Sequence, residues 1–308
     1  MLGIVLVSYK TEDKTIAYVQ QELSKIQSDY KLVIVNNSCT EESNVKLAKG
    51  CKAEIITDAD KINDASDTFV LGAKDNLGYA KGNNLGADFL TRHFDIDYFL
   101  FTNNDLKLVD EDVVEKLIEK AREHQEIGAI GPRVLGPDSK DQSPGRYLTI
   151  WQCYIGKYGL YPITRFFYKT GYFDEIVDAN SDGFCYRLSG SFILVKAHAF
   201  LQSNGFDSET FLYGEELILA ERLLAKGYKQ YYLAVVSVIH EHNQTIGLFF
   251  CETQKRWLMF ASDSYYYRKY KKHGNLLIET AKISLALYLY CYSPVTGALK
   301  AFFSRKKA

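Results

Sequence analysis

Short apolar runs alternate along the chain with segments whose apolar residues recur every three or four positions. Residues 2–7 are apolar almost throughout, and residues 32–35, 98–102 and 127–131 repeat that type, with 54–57 and 68–71 as shorter strand-like runs. Between them, residues 11–27 set Ile16, Val19, Leu23 and Ile26 on one helical face. Residues 75–92 pass from a glycine-rich turn into a helix, and residues 110–125 form a capped one. Strands apolar on both faces and separated by helices predict an α/β fold, a mostly parallel sheet flanked by helices. Residues 133–184 show no period and read as irregular connection. Order resumes with a strand at 186–195, a short helix near 198–203, a helix over 215–226 and a strand at 228–239 that ends at His240. Three tail helices are expected at 248–272, 276–292 and 295–303.

Composition supports a globular chain. Its 308 residues are 47% hydrophobic with five prolines, enough for a substantial core. One large domain with an appendage, or two domains, both fit this length; the helical, basic and aromatic stretch over 248–308 reads as an extension of a domain over 1–247. The formal net charge of −1 hides a division. From Lys255 onward eleven basic residues face two acidic ones, a formal +9, while the first 254 residues carry −10. A basic tail on an acidic body points to an anionic partner at the tail and excludes an ordinary nucleic-acid module. Six cysteines without metal-like spacing read as reduced thiols of a cytosolic protein. The first strand lacks the basic lead of a signal peptide, so none is expected. The longest apolar stretch, 276–292, contains Glu279 and Lys282 and is not a membrane span.

In an open parallel sheet ligands sit at the carboxyl ends of strands. Here those ends are polar: Ser8-Tyr9, Asn36-Asn37-Ser38 and Thr102-Asn103-Asn104-Asp105. Asn103 and Asp105 offer two oxygens to a hard divalent cation, or else simply form a helix-capping turn. Glycines 78, 82 and 86 permit close backbone approach beside Lys81, or else only tight helix packing. Glu215-Glu216 open a helix, with Arg222 two turns on. Either acid can act as a general base, and both also suit a helix N-terminus. His240 and His242 end a strand; one imidazole could complete a metal shell, or serve as an ordinary surface or core histidine.

The order of these signals is more telling than any one of them. Strand–Ser8-Tyr9, strand–Asn36-Asn37-Ser38, the run from Asn76 to Gly86, strand–Asn103-Asn104-Asp105, Gly190-Ser191-Phe192, Gly205-Phe206-Asp207, Phe211-Leu212-Tyr213-Gly214-Glu215-Glu216, Arg222 and strand–His240 follow one another over about the first 247 residues. The set resembles glycosyltransferase family 2, inverting enzymes of the glycosyltransferase A-type, Rossmann-like fold, and most of all its rhamnosyltransferase-like branch of bacterial surface-polysaccharide synthesis. The resemblance implies a sugar donor on a nucleotide diphosphate, dTDP- or UDP-linked, with rhamnose favoured. It implies donor contacts at Val7, Ser8, Tyr9, Asn36, Asn76, Gly78, Lys81, Asn103, Asn104 and Arg222. Asn36 stands where the family usually has Asp, which changes how a base edge would be read. Asp105 and His240 would hold Mg²⁺ or Mn²⁺. Glu216 would be the catalytic base, with Glu215 beside it and Arg222 perched to hold Glu215.

The tail fits the same picture. The run from Tyr265 to Lys272 interleaves tyrosines and cations. With the apolar helix after it, it suits a helix in the membrane interface, tyrosines at headgroup depth, or else a packed core with a basic edge. The membrane reading would bring the enzyme to the inner face of the bacterial cell membrane and to a saccharide acceptor on a polyprenyl-diphosphate lipid. No nucleic-acid partner is expected. A UDP-hexose or UDP-galactofuranose transferase of the same fold, a nucleotide-sugar-modifying enzyme and a non-catalytic sugar-binding relative stay open.

Overall fold

The computed structural model describes residues 1–57, 61–63, 65–241 and 251–294. His242, the first residues of the expected helix at 248–272 and all of that at 295–303 lie outside them. The chain divides into two compact units, Met1–Gly145 with Ile176–Phe249, and Arg146–Glu175 with Phe250–Ala308. The second unit is therefore more than the tail.

The strands of the first unit are β1 (Leu2–Ser8), β2 (Tyr30–Asn36), β3 (Glu54–Ile56), β4 (Thr68–Gly72), β5 (Tyr98–Thr102), β6 (Leu106–Leu108), β7 (Ile127–Leu135), β8 (Gly183–Cys185), β9 (Phe192–Lys196) and β10 (Lys229–His240). They form one sheet in the order β3-β4-β2-β1-β5-β9-β7-β10-β6, with β8 against β10. From β3 to β5 all pairs are parallel. β9 enters antiparallel between β5 and β7. The helices are α1 (Glu12–Gln21), α2 (Glu41–Cys51), α3 (Gly78–His93), α4 (Val113–Glu123), α5 (Tyr161–Thr164), α6 (Ala197–Gln202), α7 (Glu215–Leu224), α8 (Glu252–Lys269) and α9 (Asn275–Leu287).

Alternation along each strand splits the apolar residues into two layers. Leu2, Ile4 and Leu6 of β1 join Tyr18, Leu47 and Leu117 under α1, α2 and α4. Val5, with Val33 and Val35 of β2, joins Ala87, Phe200 and Leu219 under α3, α6 and α7. Burial on both faces is why these strands read as continuous apolar runs.

Three elements of the first unit, α2, β6 and β8, are absent from the sequence pattern. α2 buries only Ser43, Leu47 and Cys51, so its inner face is not visibly apolar; Thr40 caps it by accepting from the Ser43 amide at 3.2 Å. β6 and β8 have three residues each, too few to register a period.

The second unit is helical. Residues expected to be irregular contain a π-helical segment, Trp151–Gly159, then α5 and a 3₁₀ segment, Arg165–Thr170. The π-helical segment buries Tyr154, Gly156 and Tyr158, and a π turn does not keep the 3.6 period, which hides it from a sequence reading. Tyr154 packs against Phe260 of α8 with ring centroids 5.0 Å apart. Tyr266 and Tyr267 are buried, and the Tyr267 hydroxyl donates to the Leu148 carbonyl at 2.8 Å. These two tyrosines belong to the core of their unit, not to an interface at headgroup depth. Among the described residues no helix is long and apolar enough to cross a membrane.

Candidate active site

The strand ends β1, β2 and β5 open beside one another, as the parallel registers require. Ser8 is fully buried, its hydroxyl 2.8 Å from that of Thr15 in α1. The Asn104 amide donates to Thr11 and Thr15 at 2.8 and 2.7 Å, so Asn104 ties the β5 loop to the start of α1. Val7 faces Gly82, and Tyr9 is half-buried with the Lys10 ammonium 5.2 Å from its ring centre. Asn36 is fully buried and its amide is occupied: Nδ2 donates to Ser43 and Asn44, and Oδ1 accepts from the Ser38 amide. This side chain shapes the loop after β2 instead of presenting a free amide edge. The acid of this corner is Glu12, which accepts from Ser43 at 2.5 Å and Ser38 at 2.8 Å. Burial raises its pKa, but hydrogen bonds from Ser43, its own backbone and Ser38, with the Lys46 charge, outweigh this and leave it below the usual value.

The glycine-rich run serves two purposes at different positions. Asn76 accepts from the Gly78 amide at 3.1 Å. Gly78 has φ of 72°, and a Cβ there would lie 2.3 Å from the Phe211 carbonyl oxygen. Only glycine suits both demands. The same carbonyl accepts from the Tyr79 amide at 3.1 Å. Gly82 and Gly86 instead let α3 approach β1, where added carbons would meet Val7 at 3.0 Å and Val5 at 2.5 Å. Lys81 is exposed on the first turn of α3.

α7 begins after two residues in the left-handed region, Tyr213 and Gly214. Glu215 is buried and Glu216 half-buried in its first turn, where the helix dipole favours negative charge. The Gly190 amide lies 3.3 Å from Glu216 Oε1, and a Cβ on Gly190 would strike Glu216 Cγ at 2.8 Å. The Gly190 carbonyl accepts from the Tyr79 hydroxyl at 2.6 Å. Burial, with Glu216 and Glu215 nearby, holds the Tyr79 hydroxyl well above its ordinary pKa, so it remains a donor. Next along the chain, the Ser191 carbonyl accepts from the Asn103 amide at 2.9 Å. Residues 190–191 therefore connect the acidic start of α7, the start of α3 and the loop after β5. Arg222 pairs with Asp207 at 3.1 Å and donates to the carbonyls of Asn204 and Gly205. It braces the turn that leads into α7.

β6 brings the remaining pair together. Its antiparallel pairing sets His240 opposite Leu106, and the Glu241 amide donates to the Asp105 carbonyl at 2.8 Å. Asp105 Oδ1 lies 3.2 Å from His240 Nε2 and is buried without a hydrogen-bond donor. On the other side of the ring, Nδ1 is 2.9 Å from Gln142 Oε1. An amide oxygen only accepts, so with this amide orientation Nδ1 carries a proton and Nε2 is the ring nitrogen that faces the carboxylate. Two acceptors at this distance need a proton or a metal cation between them. One carboxylate and one imidazole form a donor set that fits a divalent cation. Among the described residues no group of three or more His, Cys, Asp or Glu could hold a metal alone, so substrate oxygens or water would complete the shell.

Tyr79, Gln142 and Glu12 were not singled out by the sequence. Tyr79 lies inside the glycine-rich run, but nothing in the run tells that its hydroxyl reaches residue 190, 111 positions away.

The chain matches no protein-family profile. It is similar to the rhamnosyltransferase WbbL of Escherichia coli, 24% identical over 281 residues, which span 87% of this chain and 94% of that one. A second relative, the N-acetylglucosaminyl-diphospho-decaprenol L-rhamnosyltransferase of Mycobacterium tuberculosis, is 27% identical over 139 residues, 44% of each chain. Among solved structures, the mannosyltransferase PcManGT of Pyrobaculum calidifontis, in complex with GDP-Man and Mn²⁺, superposes with a TM-score of 0.57 at 12% identity, covering 98% of this chain and 80% of that one.

Proposed function

We propose that the chain is a rhamnosyltransferase-like glycosyltransferase of family 2 with the A-type fold, and that it moves rhamnose from a dTDP- or UDP-linked donor to a hydroxyl of a lipid-linked saccharide in polysaccharide synthesis, a reading supported by its two rhamnosyltransferase relatives and its fold. The carrying observation is the 190–191 segment. It touches the Glu216 carboxylate on one side and the Asn103 amide, two residues before Asp105, on the other. The proposed base and the loop that carries the proposed metal ligand Asp105 thus share one support at the open end of the sheet.

In this reading Glu216 removes the proton of the acceptor hydroxyl, and Gly190 N–H steadies one carboxylate oxygen so that the other is free for the task. The acceptor oxygen bonds to the anomeric carbon from the face opposite the departing diphosphate. That C–O bond breaks, the electron pair leaves with the nucleoside diphosphate, and the configuration inverts. Tyr79 fixes the Gly190 peptide, and Arg222 fixes the turn that aims α7. Asp105 and His240 would hold Mg²⁺ or Mn²⁺, which when bound would offset the charge growing on the diphosphate. Asn76, Gly78 and Lys81 at the start of α3, with Val7, Ser8 and Tyr9, line the donor side. Glu215 stands as the second acid of the site.

The relatives guide the substrate. A decaprenol-linked acceptor is named for the mycobacterial relative, and rhamnose for both. The basic second unit would carry the enzyme to the inner face of the cell membrane, where such an acceptor lies. The test is a screen of nucleotide sugars with metal present and a lipid-linked saccharide acceptor. Transfer from dTDP-rhamnose is expected, stopped by EDTA and by Glu216→Gln. Transfer from UDP-galactofuranose or a UDP-hexose instead would replace the sugar assignment. Binding of donors without turnover would favour a non-catalytic relative.

A further inference from the structure

The second unit exposes an apolar surface that the tail alone does not contain. Within eight residues, Leu160, Ile163, Phe166 and Phe167 are 41%, 64%, 70% and 54% exposed. Isolated exposed apolar residues need no explanation, but such a cluster does.

This cluster adjoins the π-helical segment Tyr288–Tyr292 that follows α9. Tyr161 packs on Tyr288 and Tyr292, ring centroids 5.2 and 6.3 Å apart. Close by in sequence, Leu287 and Tyr290 are 40% and 62% exposed. The surface is also cationic. Arg165 lies over the Phe166 ring at 4.9 Å, so the charge and the apolar ring share one position. Among its described residues the second unit holds 11 basic and five acidic residues, a formal +6.

We propose that the segment Leu160–Phe167 is a membrane-inserting wedge, with Phe166 and Phe167 entering the acyl boundary of an anionic bilayer and Arg165 at its phosphates. Exposed aromatics carried beside cations on a short helix match the chemistry of an interface that is apolar below and anionic above. The inference deepens the membrane part of the reading above and is independent of its sugar chemistry. It moves the anchoring element from the tyrosine run at 265–272, half of whose tyrosines are core, to a connection in the middle of the chain.

The experiment is co-sedimentation of the full chain with phosphatidylcholine vesicles, with and without an equimolar share of phosphatidylglycerol. The parent is expected to partition onto the phosphatidylglycerol vesicles. The double variant Phe166→Ser with Phe167→Ser should bind at least tenfold more weakly, about 1.4 kcal/mol. Phe184→Ser, which alters an exposed phenylalanine of the first unit, should bind like the parent. Phe166→Trp should be quenched by brominated acyl chains. Binding that depends on phosphatidylglycerol but is equal in the parent and the double variant would overturn the wedge and leave the membrane reading standing. No binding by the parent would overturn both. A double variant that changes the oligomeric state in light scattering while keeping its vesicle affinity would assign the surface to a second copy and also overturn the proposal.

Discussion

Gly78→Ala is the sharpest check on how α3 and α7 are joined. The substitution forces alanine to φ of 72°, which costs about 1–2 kcal/mol. Its Cβ would lie 2.3 Å from the Phe211 carbonyl oxygen, a backbone atom that cannot rotate away. The displaced carbonyl would also lose the Tyr79 amide, now at 3.1 Å, for about 1 kcal/mol more. These two terms come to about 2–3 kcal/mol, and the steric clash adds to them. Phe211 precedes Glu215 by four residues, so the shift is passed to the start of α7. Urea unfolding followed by circular dichroism, in parallel with sugar transfer at a temperature where the fold persists, would read both effects. Gly82→Ala is the internal comparison. Its Cβ would meet a Val7 methyl at 3.0 Å, and alanine gains about 0.5–1 kcal/mol in a helix interior. A loss of less than about 1 kcal/mol is expected there. The reasoning fails if Gly78→Ala is within about 0.5 kcal/mol of the parent, or if both glycines cost the same.

Other expectations follow from the same geometry. Tyr79→Phe removes the donor to the Gly190 carbonyl; a fall in kcat with donor KM unchanged is expected, and a change in donor KM alone would remove Tyr79 as the support of Glu216. Asp105→Asn should abolish the rise in melting temperature that Mn²⁺ gives the parent, whereas an undiminished rise would move the metal elsewhere. Glu12 has a lowered folded-state pKa, so its stabilising contribution is present above its unfolded value of about 4.3 and fades as pH falls through the folded value. Glu12→Gln should therefore destabilise at neutral pH and match the parent in acid; a difference independent of pH would refute this.

The sequence by itself determined the sheet and most of its helices, because strands buried on both faces must be apolar throughout and half-buried helices must repeat every three or four residues. Its polar strand ends, and the order in which they occur, carry the resemblance on which the proposed chemistry rests. What the pairing of distant segments decides was beyond it. A three-residue strand, β6, aligns Asp105 with His240, and no period exists in three residues. Local sequence offered Asn36 and Arg222 as groups facing a ligand; tertiary contacts turn Asn36 onto Ser43, Asn44 and Ser38, and Arg222 onto Asp207. The glycine run admitted a turn or close packing, and the fold uses both, since Gly78 meets a backbone carbonyl and Gly86 a strand valine. Local propensity selects elements from residues near in sequence, whereas a site is set by which distant atoms come within hydrogen-bond reach, and only the packed chain fixes those.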